Sequence, residues 1–315
     1  MKFLKSIKFP IINLRFFSKT QYSLGIQINK ESAKIAYLES TSKGFKLPIV
    51  PFQINLPENE EEAGNIIKEE LEKRNIKPTK VVSGLSSSSV LFKTLKLPKV
   101  SKEELIDAIE YNIKEELNTL KGLASYDFDI IGEEKDFFEI LVVIGKMKDI
   151  ERINTILKYA SIKTNIIDAD PLALINMALL YQEKTEKEEN ICIVHFEEKE
   201  SYLTFYHKNV IIQSLNFSKE NYEQLSPDDK EIAVENLINE INYFFLTIHE
   251  PENIYLSGYA FKFPEIKEYM QLKFGRRFNL EYLDPVEILN IDYNGSTPLG
   301  IYNVPLGLAY RGFLE

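Results

Sequence analysis

The sequence predicts a mixed α/β protein in which one strand–strand–strand–helix–strand unit occurs twice around a small α+β insert. Three observations carry this prediction. The same order of elements is read near the start of the chain and again in its second half. A segment with its own helix cap and strands lies between the two copies. The 44% hydrophobic and 27% charged content is that of an ordinary globular protein.

The first copy begins after about twenty residues of basic and apolar sequence. Alternating apolar side chains predict strands at Leu24–Ile28 and Ser32–Leu38 around a short turn, and a third strand at Lys46–Phe52. The acidic-to-basic segment Glu58–Arg74 predicts a helix. Lys80–Leu85 predicts the fourth strand.

The second copy repeats this order. Strands are predicted at Ile191–Phe196, Ser201–Tyr206 and Val210–Phe217. Ser226 and Pro227 then predict a helix start, because proline lacks only an N–H that has no partner there. The helix runs to about Leu246, and strand Asn253–Ser257 closes the unit. The residues predicted to be buried by this helix are Ile232, Leu237, Ile241, Phe244 and Phe245.

Two such copies predict the duplicated ribonuclease-H-like arrangement of the actin superfamily. The segment between them predicts strand, helix, strand, strand, helix and strand, and its first helix opens on a capping box at Ser101 and Glu104. Its last two elements are predicted at Lys148–Ala160 and Thr164–Asp168. The predicted divisions are a leader at 1–20, a first actin-like subdomain at 21–89 completed by later segments, an insert at 90–168, and a second subdomain with the C-terminal closure at 169–315.

Composition excludes several classes of site. Cys192 is the only cysteine, so no intrachain disulfide can form, and three scattered histidines do not predict a zinc site. No run of 18 apolar residues predicts a membrane-spanning helix. The chain carries −10 overall, and an acidic body argues against nucleic acid as a partner.

The leader has the opposite charge. Residues 1–19 contain no acid and five cations, which are Lys2, Lys5, Lys8, Arg15 and Lys19. Phenylalanines and isoleucines interleave with these cations. This pattern is typical either of a disordered terminus or of a contact with a membrane surface or partner protein.

Several segments in the predicted order resemble the PilM family of type IV pilus assembly proteins, which is related to the cell-division protein FtsA. In the insert they are Leu97-Pro98-Lys99, Glu103-Glu104-Leu105, Tyr126-Asp127-Phe128 and Asn165-Ile166-Ile167-Asp168. Near the end they are Ile254-Tyr255-Leu256-Ser257-Gly258, Asp284-Pro285 and Pro305-Leu306-Gly307-Leu308-Ala309-Tyr310-Arg311-Gly312. The resemblance covers nearly the whole chain after residue 20.

The resemblance implies a cytoplasmic scaffold, peripheral to the inner membrane, that docks the cytoplasmic tail of a PilN-like single-pass protein. Other pilus platform and motor proteins are implied partners, and a homo-oligomer is compatible with it. No catalytic residue and no metal site is expected.

The first nucleotide motif of the family departs from its pattern here. Where the family has Gly-Ile-Asp-Ile-Gly-Ser-Ser-Ser, this chain has Gln27 for the aspartate and Asn29 for the second glycine. Gly25, Ser32 and Lys34 persist. Asparagine can still adopt the left-handed conformation that a glycine turn supplies.

Two further motifs also depart. The second hairpin has His195 and Glu197 at positions of an Asp-Ile-Gly-Ala motif, which places carboxylate charge where phosphate oxygens would lie. Gly258 is followed by Tyr259 in place of a second glycine, which puts a ring where adenine needs backbone access. We therefore expect a degenerate nucleotide site with no cofactor, unless that site still binds ATP and Mg²⁺.

Alternative functions are an active actin-like ATPase of the same family and a sugar-kinase-type enzyme on the same fold. His195, on an alternating strand beside an acidic turn, is expected to be a solvated histidine rather than a general base. Cys192 is expected to be a small buried hydrophobe rather than a nucleophile.

Overall fold

The computed structural model describes residues 21–42, 44–120, 123–186, 190–207 and 209–314. The strands are β1 (Tyr22–Ile28), β2 (Ser32–Thr41), β3 (Gly44–Asn55), β4 (Lys80–Leu85), β5 (Val90–Pro98), β6 (Ala124–Glu133), β7 (Phe137–Lys146), β8 (Ile166–Ala169), β9 (Ile191–Phe196), β10 (Ser201–Tyr206), β11 (Val210–Leu215), β12 (Asn253–Gly258) and β13 (Asn279–Tyr282). The helices are α1 (Glu60–Lys73), α2 (Lys102–Asn112), α3 (Lys114–Thr119), α4 (Met147–Tyr159), α5 (Asp170–Thr185), α6 (Lys219–Glu223), α7 (Pro227–Phe245), α8 (Pro264–Phe274), α9 (Pro285–Leu289) and α10 (Asn303–Arg311).

Two compact units divide the chain. The first contains residues 1–176, 208–210 and 304–315, and the second contains 177–207 and 211–303. Each unit has a five-stranded sheet, in the order β3-β2-β1-β4-β8 in the first and β11-β10-β9-β12-β13 in the second. The two orders are identical, 3-2-1-4-5, when only the strands of each five-stranded sheet are counted along the chain. The duplicated actin-type fold predicted from the sequence is confirmed.

Each sheet has one strand more than the sequence prediction gave its copy. In the first unit, β8 pairs in parallel with β4, from Val82 opposite Ile166 to Leu85 opposite Ala169. In the second unit, β13 pairs in parallel with β12. Both are four-residue strands, too short for a periodic pattern to identify their sheet.

The insert is smaller than the predicted segment 90–168. Its sheet has the order β5-β7-β6, and α2 and α3 supply the apolar side chains that cover one face. The helix that follows, α4, packs against α1, and β8 lies in the first sheet. The insert therefore ends at about Lys146. The predicted C-terminal division at 169–315 also differs, because residues 304–315 belong to the first unit.

Capping side chains mark the starts of three helices. Ser101 and Glu104 form the predicted capping box at the start of α2. Ser226 caps α7 with Pro227 in the first turn. Asn59 caps α1 by accepting a hydrogen bond from the backbone of Glu62.

The core of the second unit lies between its sheet and α7 and α8. Cys192 is fully buried, as predicted, and burial raises the pKa of its thiol, which removes it as a nucleophile at neutral pH. Four of the five apolar residues predicted to be buried by α7 are buried. The exception is Ile232, whose side chain is 56% exposed.

Candidate functional site

The first hairpin carries five of the predicted site residues. Strands β1 and β2 pair antiparallel, with Gln27 opposite Lys34, and the turn closes with a 2.8 Å hydrogen bond from the N–H of Asn29 to the carbonyl of Ser32. Asn29 is not among the non-glycine residues of positive φ in the described chain, which are Asn75, Ser161, Glu186 and Asn290. Asn29 therefore does not use the left-handed conformation that asparagine allows, and the hairpin closes without it.

Helix α4 holds this turn in place. The guanidinium of Arg152 donates to the carbonyl oxygens of Asn29 and Lys30, at 3.3 and 3.2 Å. Two consecutive carbonyls of the turn thus face a cation that belongs to the protein. The interaction stabilises the turn conformation through a long-range contact that the hairpin sequence does not reveal.

Gly25, a predicted residue of the degenerate nucleotide site, has a packing role in the structure. It lies within β1, where a Cβ would stand 1.9 Å from the carbonyl oxygen of Pro305 and 2.5 Å from the backbone nitrogen of Ala309. Helix α10 therefore lies directly on the backbone of β1. Only glycine permits this approach.

Gln27 belongs to a cluster of buried polar side chains in the first unit. Its side-chain amide nitrogen donates to Oδ2 of Asp170 at 3.1 Å, and both residues are only 2% exposed. Lys34, across the hairpin from Gln27, is fully buried. Ser32, at the start of β2, is 5% exposed. The four polar side chains are therefore enclosed by the protein.

A second buried pair lies in the first unit. Arg311 of α10 approaches Asp168 of β8, with 3.5 Å between Nε and Oδ2. Burial raises the pKa of Asp168, and the positive charge of Arg311 opposes that shift. The pair fixes the last described helix to the edge of the first sheet.

In the second unit, four polar side chains form one hydrogen-bonded chain. Asn303 donates to Oγ of Ser257 at 2.9 Å, Ser257 lies 2.9 Å from Nδ1 of His195, and Nε2 of His195 lies 3.0 Å from Oε1 of Glu197. Because Asn303 supplies a donor to Ser257, the serine hydroxyl is left to donate to His195 and the ring can donate to Glu197.

This arrangement has the order of a serine–histidine–carboxylate triad, but it lacks access. Ser257 and His195 are both fully buried and Glu197 is 7% exposed. A serine nucleophile must reach its substrate. These four hydrogen-bonded side chains therefore form an internal polar network that joins β9 to β12. The prediction that His195 is solvated is wrong.

The turn after β9 is bonded internally as well. The N–H of Glu197 faces the hydroxyl of Ser201 at 3.3 Å, and the carbonyls of Glu197 and Glu198 accept from the start of α6. Tyr259 donates its hydroxyl to Oε1 of Glu198 at 2.9 Å and is 6% exposed. Desolvation, with the charge of Glu198, raises the pKa of Tyr259, so the phenol stays protonated.

Gly258 precedes this tyrosine at a position that requires glycine. Its φ is 71°, and a Cβ would stand 2.2 Å from the carbonyl oxygen of Phe196 and 3.0 Å from the ring of His195. The predicted residues His195, Glu197, Gly258 and Tyr259 are thus brought together at neighbouring ends of β9 and β12, where Gly258 pairs with Phe196.

Sequence reasoning missed five members of these networks, which are Asp168, Asp170, Ser257, Asn303 and Arg311. Asp168, Ser257 and Arg311 lie in segments that carry the PilM resemblance, so a signal existed for their position but not for their role. Asn303 has no sequence signal, because its partners are 46 and 20 residues away.

The predicted contact residues of the leader, Lys2, Lys5, Lys8, Arg15 and Lys19, lie outside the described residues. Within the described part of the chain, no cluster of three or more His, Cys, Asp or Glu side chains is arranged to hold a metal ion. No helix found there combines the length and apolarity needed to span a bilayer.

The sequence matches no profile of a known protein family. No curated protein sequence matches it either. Solved structures do match. A chain of the "PilM-PilN type IV pilus biogenesis complex" aligns over 92% of this chain and 98% of its own length, with a TM-score of 0.75 and 17% identity.

Two other similar structures have a TM-score of 0.53. The ethanolamine utilization protein EutJ from Carboxydothermus hydrogenoformans is 8% identical and aligns over 91% of this chain and 89% of its own. The inorganic polyphosphate/ATP-glucomannokinase from Arthrobacter sp. strain KM is 11% identical and aligns over 93% and 99%. At these identities the likeness establishes the fold, and the chain therefore shares the actin-type fold of a component of the PilM–PilN complex over nearly its whole length.

Proposed function

We propose that this protein is a PilM-like scaffold of a type IV pilus assembly platform and that it docks the cytoplasmic tail of a PilN-like membrane protein. One observation carries the proposal. The fold matches a chain of the PilM–PilN complex over 92% of this chain and 98% of that chain, with a TM-score of 0.75. A cytoplasmic location at the inner membrane, with other platform and motor proteins as further partners, belongs to the same proposal.

The two buried networks support a role without nucleotide chemistry. Magnesium prefers carboxylate oxygens and phosphate, whereas Gln27 offers an amide whose nitrogen is bonded to Asp170. Near the second hairpin, Glu197 and Glu198 add negative charge, and Tyr259 covers the strand end. Both sets of donors fit a magnesium–triphosphate group poorly, so we assign it no catalytic step.

The second candidate is an ATP-binding member of the same fold. The observation in its favour is the likeness to a glucomannokinase and the retention of Lys34 with Asp170 nearby in the first unit. A sugar kinase would further need a carboxylate base open to its substrate. Asp168 and Asp170, the buried carboxylates of the first unit, are each at most 3% exposed.

Thermal melting with and without Mg-ATP separates the candidates. Millimolar ligand at micromolar affinity would stabilise the fold by about 4 kcal/mol. We expect no rise in melting temperature, with Mg²⁺ alone and ATP with a chelator as controls. A rise of several degrees that requires both components would establish the ATP-binding alternative.

Partner docking is tested by capture of the chain on an immobilised tail of the PilN-like protein. We propose that the tail docks beside the insert. We therefore expect capture by the full chain and none by a variant in which a short linker replaces residues 90–146. Val90 pairs with Gly145, so the two cut ends lie side by side and the gap can be closed. Equal capture of both proteins would refute docking beside the insert.

A further inference from the structure

Strand β6 is an open edge of the insert sheet. Among the strands that the structure describes, the order β5-β7-β6 leaves the outer side of β6 without a neighbour. None of its ten residues, Ala124–Glu133, is fully buried. Its outward N–H and C=O groups can therefore pair with an added strand.

The other described edge strands of nine or more residues, β3 and β5, are blunted, and β6 is not. Proline removes a backbone donor, and lysine disfavours edge pairing. Strand β3 carries Pro48 and Pro51, and β5 carries Pro98 with Lys93 and Lys96. Strand β6 contains neither residue type. We expect such an exposed edge to pair with an added strand from another segment.

Both faces of this edge are acidic. Tyr126 and Phe128 point towards the helices of the insert, where Tyr126 donates to Glu110 at 2.8 Å and lies near Asp107. The alternate residues, Asp127 and Asp129, point to the opposite face. Partial burial and the neighbouring charge of Asp129 raise the pKa of Asp127 to about 6. A cation beside Asp127 would stabilise the charged carboxylate and offset its desolvation.

The leader has the complementary chemistry. Its cations are unopposed by any acid, and the seven-residue run Ile11–Phe17 contains no glycine or proline and four residues of strand-forming type, which are Ile11, Ile12, Phe16 and Phe17. Alternation in an extended strand places Ile12, Leu14 and Phe16 on one face and Arg15 on the other. Apolar residues would then meet Tyr126, Phe128 and Ile130, the last of which is 40% exposed, while Arg15 would meet Asp127.

The leader cannot reach β6 of its own chain. The chain that follows the leader enters the first sheet beside the start of β4, since Ser23 pairs with Lys80. The insert, in contrast, begins after the end of β4. Those two ends are about 20 Å apart, the length of a six-residue strand. The residues between Phe17 and Tyr22 reach at most about 18 Å, and β6 runs onward from the near end of the insert.

We propose that the leader of one copy adds as a strand to β6 of a second copy, with Arg15 against Asp127 and Asp129. The contact is head-to-tail, because one copy supplies its leader and the next its edge. It uses no nucleotide and no membrane partner, so it stands or fails separately from the proposed scaffold function.

Sedimentation velocity over a wide range of concentration tests the proposal on the purified full chain. We expect concentration-dependent association that is lost on removal of residues 1–19. Arg15→Glu, and the double variant Asp127→Asn with Asp129→Asn, should each weaken association about tenfold. Lys2→Glu, with the same charge change as Arg15→Glu, and the double variant Asp136→Asn with Glu134→Gln, with the same charge change as the double aspartate variant, are the matched controls outside the contact.

A mixing experiment separates a leader–edge exchange from other modes of association. The Arg15→Glu chain keeps an intact edge, and the double aspartate variant keeps an intact leader. At a concentration where each weakened variant alone stays monomeric, a mixture of the two should form a heterodimer.

The proposal is overturned by a full chain that stays monomeric, by association that survives removal of residues 1–19, or by mixed variants that stay apart. A synthetic peptide of residues 1–19 gives a further check on the truncated chain. Binding of that peptide to anionic phosphatidylserine vesicles but not to the truncated chain would assign the leader to the membrane surface instead.

Discussion

The absence of a Cβ at Gly25 allows α10 to pack directly on β1 in the first unit. Because backbone atoms of Pro305 and Ala309 occupy the space beside Gly25, any Cβ there must displace α10. We expect Gly25→Ala to lower the free energy of unfolding by about 3 kcal/mol or more. Urea denaturation measures the change.

Gly132→Ala is the control for that prediction. Gly132 lies on the exposed strand β6, and the nearest atom to a new Cβ is a carboxylate oxygen of Glu139, at the end of a flexible side chain. We expect a loss below about 1 kcal/mol. Comparable losses for both glycines would show that α10 is not held tightly against β1.

Asp127 gives the second prediction at the scale of one residue. Its pKa is raised from 3.8 to about 6 by desolvation and Asp129, so the folded state binds a proton more tightly than the unfolded state between those values. Stability therefore rises as the pH falls from about 6 to about 4. Above pH 6 the charged, half-buried carboxylate costs about 1 kcal/mol once solvent screening is allowed for.

Asp127→Asn should remove that cost. In the chain lacking residues 1–19, we expect the variant to be more stable than its parent at pH 8 and equal to it at pH 4, by urea denaturation at each pH. Asp136→Asn, at an exposed position in the turn after β6, is the control. A variant less stable than its parent at pH 8 would contradict the assignment of the shift to desolvation.

At the scale of elements, α10 is held by a buried ion pair as well as by packing. Arg311 is 1% exposed and Asp168 is 3% exposed. Arg311→Met leaves the carboxylate buried without its cation, and we expect a loss of about 3–5 kcal/mol. Adding Asp168→Leu should restore much of that loss, because the buried charge is then gone.

Arg277→Met provides the comparison, since Arg277 pairs with Glu250 at the exposed surface. Surface pairs contribute at most about 1 kcal/mol. Melting curves of the three variants rank the two ion pairs. If Arg277→Met proves as damaging as Arg311→Met, burial is not the reason for the strength of the Arg311 contact.

At the scale of the whole molecule, the insert should be removable only along the boundary that the sheets define. Replacing residues 90–146 with a short linker leaves β8 beside β4 and α4 against α1. We expect this variant to unfold cooperatively. A deletion of residues 90–168 removes both elements, and we expect it to be insoluble or to lack a cooperative transition.

What the sequence predicted follows the range of the interactions. The helix starts at Ser101 and Ser226 and the first three strands of each unit depend on neighbours along the chain, and they were predicted correctly. The place of β8 depends on β4, about 80 residues earlier, and was predicted wrongly.

The candidate sites show the same limit. The residues of the two hairpins were identified from their motifs. The burial of His195 and the packing role of Gly25 depend on Ser257, Asn303 and Pro305, and no local pattern in the sequence connects these partners.

The position of α10 also sets the order in which the protein can be made. The helix that covers Gly25 is translated about 280 residues after strand β1. The insert and the second sheet are complete before that moment and can fold during synthesis. Until α10 emerges, the apolar side of β1 stays exposed in the nascent chain, so the first unit is the one that needs protection by chaperones.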